Sequence, residues 1–324
     1  VLSDAPNPGA SVTALEAEAE KLLRKADAGE ESEDMSAAVA ALFDDLQTGG
    51  KDRLQTGVAD FDTLTGGFAP GQLIYLAARP GVGKTAIGLS MAAHVARKSG
   101  AVLLVSLEMG LSEIAARLAA AETCVDLQRI STCKVGESDW EKIGAVAGNL
   151  ANLPMRITCR AQTPLQVRRE AMRMKARGGL KMIVVDYIQL MRGDGRYGSR
   201  YEEISAVSRE MKSMAMELKV PILCMCQLNR QSEKGFGKAK KTEPSMAEAR
   251  DSGALEQDAN IFLTIYEPEE PEEQNDDWQK YHACVANGMA WQRLKVEKNR
   301  QGRTGVLDVA FDKAHMKYTC LRMR

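Results

Sequence analysis

From residue 54 onward, short and nearly unbroken apolar runs alternate with longer segments whose apolar residues recur every three or four positions. The runs "GQLIYLAA" (71–78), "AVLLVSLEM" (101–109), "LKMIVVDYIQL" (180–190) and "VPILCMCQL" (220–228) predict strands, and "MRITC" (155–159) a further one. Segments 84–100, 111–122, 163–179 and 202–219 predict helices. Strands apolar on both faces and separated by helices imply a mostly parallel sheet with helices on both sides. Three later runs, "NIFLTIY" (260–266), "WQRLKVEKNR" (291–300) and "GVLDVAFD" (305–312), read as strands joined by turns, expected antiparallel at the sheet edge.

The first fifty residues follow a different pattern. Residues 1–10 are expected to be disordered. Val12, Leu15, Ala19, Leu22, Leu23 and Ala26 then form one stripe, which predicts a helix over 11–28 with Ser11 as its cap and Gly29 as its stop. Residues 29–53 read as an acidic linker with a short helix, and 54–324 as the main domain. One helix cannot bury its own stripe, so 11–28 must dock on this chain's core or on a neighbour's.

Composition narrows the class. A hydrophobic share of 44% and a charged share of 27% are those of an ordinary globular chain. No apolar run approaches the roughly 20 residues that span a bilayer, and no secretory pattern opens the sequence, so no membrane partner is expected. The start at Val1 suggests a fragment or a processed terminus. The net charge of −1 leaves nucleic-acid binding to local patches. Of seven cysteines only Cys224 and Cys226 lie close, at strand period, and none has zinc-site spacing; buried or free thiols in a reducing cytoplasm are expected.

The chemistry begins at "ARPGVGKTA" (78–86), between a predicted strand and a predicted helix. It departs from G-x-x-x-x-G-K-[ST] only at Ala78. Within Pro80, Gly81, Val82, Gly83, Lys84, Thr85 and Ala86, the two glycines let backbone N–H groups turn toward phosphate oxygens, and the helix N-terminus favours an anion. Lys84 would neutralise the outer phosphates of a nucleotide and Thr85 would hold Mg²⁺. Asp186, ending "MIVVD", is placed to complete the metal site. Glu108, ending "VLLVSLE", could polarise an attacking water. Gln227, ending "ILCMCQ", could sense the terminal phosphate.

Farther along, strand alternation predicts that Leu294, Val296, Lys298 and Arg300 share a face that runs from core to cationic. Two cations before a "QGRTG" turn suit phosphate charge, and such a finger is often supplied by another molecule; a solvated hairpin end is the alternative. Two long polar loops follow strand ends. One (192–201) carries Arg196 and Arg200, the other (229–253) Lys238, Lys240, Lys241 and Arg250. Basic groups on such loops can grip a nucleic-acid backbone without reading its sequence, unless the loops are simply solvated.

In order, "TGVADFDTLTGGFAPGQLIYLAARPGVGKTA", "SLEM", "VVDYIQLM", "CQLNR", "RDSGALEQDAN" and "EKNRQGRTG" resemble the C-terminal motor domain of the DnaB-type replicative helicases. The resemblance covers roughly residues 54–312. It implies a RecA-like P-loop NTPase fold, ATP and Mg²⁺ as nucleotide and metal, and a homo-hexamer moving 5′→3′ on single-stranded DNA with a helicase loader and a primase as partners. It assigns Glu108 as base, Asp186 as second metal carboxylate, Gln227 as sensor, and Lys298 and Arg300 as cations reaching a neighbour's nucleotide. It matches Arg250, Asp251 and Gly253 to a loop that tracks DNA, with Asp251 where many members carry Glu. It likens the helix at 11–28 to a linker helix docked on the neighbouring subunit. The acidic stretch 267–291 departs from the family, and the family's N-terminal collar domain is absent from the sequence given. A recombination or repair ATPase, and an interaction module that uses ATP only as structural glue, are the alternatives.

Overall fold

The apolar runs form a single sheet, in the order β3-β2-β4-β5-β1-β6-β7-β8-β9. The structure is a computed structural model that describes residues 34–48, 52–228, 243, 253–273 and 275–321. The strands are β1 (Leu73–Ala78), β2 (Val102–Ser106), β3 (Met155–Thr158), β4 (Met182–Asp186), β5 (Ile222–Gln227), β6 (Ile261–Tyr266), β7 (Ala290–Asn299), β8 (Gly305–Asp312) and β9 (Lys317–Cys320). The first six run parallel, and β7, β8 and β9 are added antiparallel. The run at 260–266 therefore differs from expectation. It is parallel to β1 as well as antiparallel to β7, and all six of its residues are buried. The connection from Gln227 to Ile261 is long enough for a crossover, and a strand flanked on both sides is buried on both faces. Strand β9, with alternating exposure and only four residues, carried no recognisable pattern.

Alternation along each strand divides the core. Leu73, Tyr75, Leu103, Ile183, Ile222 and Cys224 face one layer, with helices α7 (Pro164–Ala176) and α8 (Arg200–Leu218). Ile74, Leu76, Leu104, Val184, Leu223 and Leu263 face the other, with helix α3 (Lys84–Lys98) and Phe61 of the short helix α2 (Ala59–Thr65). Each fully buried Leu or Ile contributes about 1.5–3 kcal/mol. Local signals set the helix starts. Thr163 and Gln166 exchange capping hydrogen bonds with Pro164 in the first turn of α7, and Ser199 caps α8. Helices α4 (Leu111–Thr123), α5 (Leu127–Ser131) and α6 (Glu137–Ala151) fill the span between β2 and β3.

The stretch 267–291 is a docked element. Helix α10 (Asp277–Ala286) buries Cys284 with Trp291 and Ala310 in a small third cluster. Lys280 and Arg293 both pair with Asp277 and Asp308, and Trp291 Nε1 donates to Asp308 at 3.2 Å.

Contacts divide the chain into units 1–51 and 52–324. In the first, helix α1 (Met35–Thr48) lines up Met35, Val39, Leu42, Phe43 and Leu46 on one exposed stripe. The expected helix at 11–28 and the first ten residues lie outside the described residues. Cys224 and Cys226 are buried; burial pushes the Cys226 thiol up to about 12 and that of Cys224 higher still. Cys124, Cys133 and Cys159 are exposed thiols. Among the described residues no helix is long and apolar enough to cross a membrane.

Candidate active site

The loop 78–86 leaves the C-terminal end of β1, in the middle of the parallel sheet, and runs directly into α3. Gly81 (φ 81°) and Gly83 (φ 105°) take left-handed backbone. A Cβ at Gly83 would stand 2.5 Å from the Tyr318 hydroxyl and 2.7 Å from the Phe311 ring, so only glycine fits. No side chain caps the first turn of α3, which leaves its N–H groups for an anion.

Three side chains converge behind the loop. Thr85 Oγ1 donates to Asp186 Oδ2 at 2.9 Å, and Lys84 Nζ lies 3.6 Å from Asp186 Oδ1 and 4.2 Å from the centre of the Tyr187 ring. Lys84 and Asp186 are both buried. Asp186 Oδ1 is sealed from solvent and accepts no hydrogen bond. A buried carboxylate oxygen facing a threonine hydroxyl and an anion-binding turn suits a hard cation with oxygen ligands. Among the described residues no group of three or more His, Cys, Asp or Glu could hold a metal by itself, so phosphate and water oxygens would have to complete the coordination. Burial, then the Glu108 and Asp186 carboxylates, push the Tyr187 hydroxyl above its ordinary range.

A cavity of about 300 Å³ opens over the loop, lined by Gly81, Lys84, Thr85, Glu108 and Gln227. Glu108 is exposed and sits two residues beyond the end of β2, not on the strand itself. Its bend is held by Ser106 Oγ donating to Met109 O at 2.8 Å and by Leu107 N donating to Asp186 O at 2.8 Å. Gln227 is the last residue of β5. Its backbone is held by the Gln189 amide, which donates to Gln227 O at 3.1 Å and accepts from Gln227 N at 3.2 Å. Arg117, Lys313 and Met316 also line the cavity. They carried no sequence signal, because α4 and the β8–β9 turn approach the loop only through the fold; Gln189 lies inside "VVDYIQLM", but its bonds to Gln227 form only when β4 and β5 pair.

The cations require two corrections. Phe262 pairs with Lys298 but Leu263 pairs with Val296, so β7 carries one extra residue, a bulge at Glu297. Phe262 and Leu263 point into opposite layers, and Lys298 therefore lies on the other face from Leu294 and Val296. Arg300 lies beyond the strand end. Both reach the C-terminal carbonyls of helix α9 (Gly253–Asp258): Lys298 Nζ donates to Glu256 O at 2.5 Å, and Arg300 to Gln257 O. Burial, then Arg300, lowers the Lys298 ammonium below its ordinary range.

The loop residues are divided. Arg196 is exposed on 192–199. Arg200 is not a free loop cation. It opens α8, pairs with Glu203 and donates to Gln189 O at 2.6 Å and Met191 O at 2.8 Å, bracing the turn after β4. The Gly193 N–H, then Arg200, hold the Glu203 carboxyl below the usual range. Gly253 is exposed at the first position of α9. Lys238, Lys240, Lys241, Arg250 and Asp251 lie outside the described residues.

Residues 53–320 match the family model of the DnaB-like helicase C-terminal domain. The replicative DNA helicase DnaC of Bacillus subtilis is 35% identical over 277 residues, covering 84% of this chain and 57% of that protein. The replicative DNA helicase DnaB of Geobacillus stearothermophilus gives the same identity and coverage. The chain thus spans less than two thirds of these relatives' length. Among solved structures, one described as an ATPase domain superposes with a TM-score of 0.77 at 27% identity, covering 90% of this chain and all of that one. A DnaB-like replicative helicase, described with its interactions with primase, gives 0.74 at 27% identity over 94% of this chain and 72% of that one.

Proposed function

Because the chain belongs to the DnaB-like helicase C-terminal domain family, we propose that it is the ATP-driven motor of a replicative DNA helicase. It acts as a homo-hexameric ring that moves 5′→3′ on single-stranded DNA and parts duplex at a fork. One observation carries the reading: the loop 78–86 follows the end of β1, whereas Lys298 pairs with the start of β6, which aligns with the start of β1. The length of β1, about 17 Å at ~3.3 Å per residue, separates the two. A chain does not bring its own Arg300 to its own loop, which supports the reading that a second copy supplies it.

The residues divide the work. Loop N–H groups and Lys84 hold the phosphates of ATP. Thr85 and Asp186 would hold Mg²⁺, which when bound supplies positive charge against the phosphates. Glu108 takes the proton of the attacking water. Gln227 reports the state of the nucleotide to the chain beyond β5. Lys298 and Arg300 of a neighbouring copy exchange their carbonyl partners on α9 for phosphate oxygens, an effect worth about 10³–10⁵ in rate. Helix α9 begins at Gly253, two residues after Asp251 in the sequence, so DNA contact at Gly253 would act on the helix whose last carbonyls hold the cations. The stripe at 11–28, which lies outside the described residues, is proposed as the second contact between copies. A helicase loader and a primase are the proposed partners, in the cytoplasm.

A forked duplex with a 5′ single-stranded tail tests the reading. ATP-dependent strand separation is expected, lost on moving the tail to the 3′ strand. Strand exchange without fork unwinding would instead support a recombination ATPase.

A further inference from the structure

Gln292 is a fully buried polar side chain on β7 to which the proposed reaction gives no part. Its Nε2 donates to Val82 O at 2.6 Å and to Glu267 Oε1 at 3.2 Å. A carbonyl and a carboxylate only accept, so the amide orientation is fixed and Oε1 must face the other way. There it accepts from the Tyr318 hydroxyl at 3.0 Å, and the same hydroxyl lies 3.2 Å from Gly83 O, so its one proton is shared between the two acceptors. The Tyr318 ring stacks on Phe311 at 4.3 Å with an 8° tilt, which fixes its position. Tyr318 is held protonated, because burial, then Glu267, push its hydroxyl well above the ordinary range. Lys313 pairs with Glu267 at 2.7 Å and balances the carboxylate.

Peptide planarity gives this cluster a consequence. The Val82 carbonyl shares a plane with the Gly83 N–H, and the Gly83 carbonyl with the Lys84 N–H. A carbonyl pinned on the protein side therefore aims the paired N–H at the opposite side, where phosphate would lie. We propose that Gln292, with Tyr318, is a positioning residue that holds the phosphate loop in its anion-binding shape from behind. The proposal rests on the reading that loop 78–86 binds a nucleotide. It makes the antiparallel addition to the sheet part of the site: β7, β8 and β9 supply the brace that the parallel strands cannot reach.

The test measures binding of a fluorescent ATP analogue with Mg²⁺, together with kcat, KM and thermal midpoint, in the full chain. Three variants are needed. Tyr318→Phe keeps the stack but removes the hydroxyl. Gln292→Met removes all three hydrogen bonds of the Gln292 amide. Gln292→Glu keeps the shape but, when ionised, cannot donate to Val82 O. The expected result is nucleotide affinity about 10-fold weaker in both Gln292 variants, a cost of the order of one buried hydrogen bond with its acceptor left unpaired, and a smaller loss in Tyr318→Phe. KM should rise more than kcat falls. In Gln292→Glu the deficit should shrink as pH drops from about 8 to about 6, because a buried carboxyl beside Glu267 takes up a proton in that range and regains the donor. A lowered thermal midpoint with wild-type affinity and no pH-dependent recovery would overturn the proposal. Lys84→Ala separates the two claims: if it binds nucleotide normally the loop reading itself fails, whereas if it fails to bind while the Gln292 variants bind normally only the brace fails.

Discussion

A carboxylate oxygen sealed from water and left without a donor is costly unless a positive charge faces it, and Asp186 Oδ1 stands in that position beside Lys84. In the proposed reaction this oxygen would face the metal cation and Lys84 the phosphate. Asp186→Asn is expected to leave the fold intact and to shift the Mg²⁺ dependence of nucleotide binding at least tenfold; unchanged Mg²⁺ dependence, read by titration, would contradict the assignment. Glu108→Gln is expected to bind nucleotide as wild type and to lose about 10²–10⁴ in turnover, the range for a general base; a change in affinity alone would mean a structural role. These residues were legible in the sequence because loop, strand end and chemistry are contiguous there. Arg117 and Gln292 were not, since each reaches the loop from an element distant from it in sequence; nor was the role of Gln189, though it lies inside "VVDYIQLM", because its bonds to Gln227 exist only once β4 and β5 pair. A buried glutamine within "AWQRLKV" resembles a polar strand residue until Val82 is seen behind it.

At the scale of elements, alternation predicted the parallel sheet and failed where the chain breaks its own period. The Glu297 bulge reversed the face of Lys298, and the first-turn position of Arg200 turned an expected DNA contact into a brace. That correction is measurable. Arg196→Ala should lower the salt slope of single-stranded DNA binding by about 0.7, the single-strand share of one phosphate contact. Arg200→Ala should leave the slope unchanged and lower the thermal midpoint; a reduced slope would restore it to the DNA surface. Helix α10 gives a pH test. Burial pushes the Asp277 carboxyl up, but the Lys280 bond and Arg293 outweigh it and hold it below its ordinary value. A carboxylate with a depressed folded pKa contributes stability above its unfolded pKa and loses it as pH falls through the folded one. Docking of α10 should therefore persist at neutral pH and loosen below about pH 4, the ordinary range of Asp, seen as a change in Trp278 and Trp291 fluorescence. A signal flat from pH 7 to 3 would show that the ion pairs do not hold the helix.

On the scale of the whole molecule, the account depends on one claim: the hydrolytic site is completed by a second copy. The loop and the cations lie at opposite ends of the strands. The most direct measurement is turnover per chain against protein concentration, with and without single-stranded DNA, for wild type, Arg300→Ala, Lys84→Ala and an equal mixture of the two variants. The account predicts specific activity that climbs with concentration and rises further with DNA. It also predicts near-inactive single variants, with activity partly restored in the mixture, where an intact loop can meet an intact Arg300. Turnover that is flat with concentration, unmoved by DNA and unaffected by Arg300→Ala would contradict it.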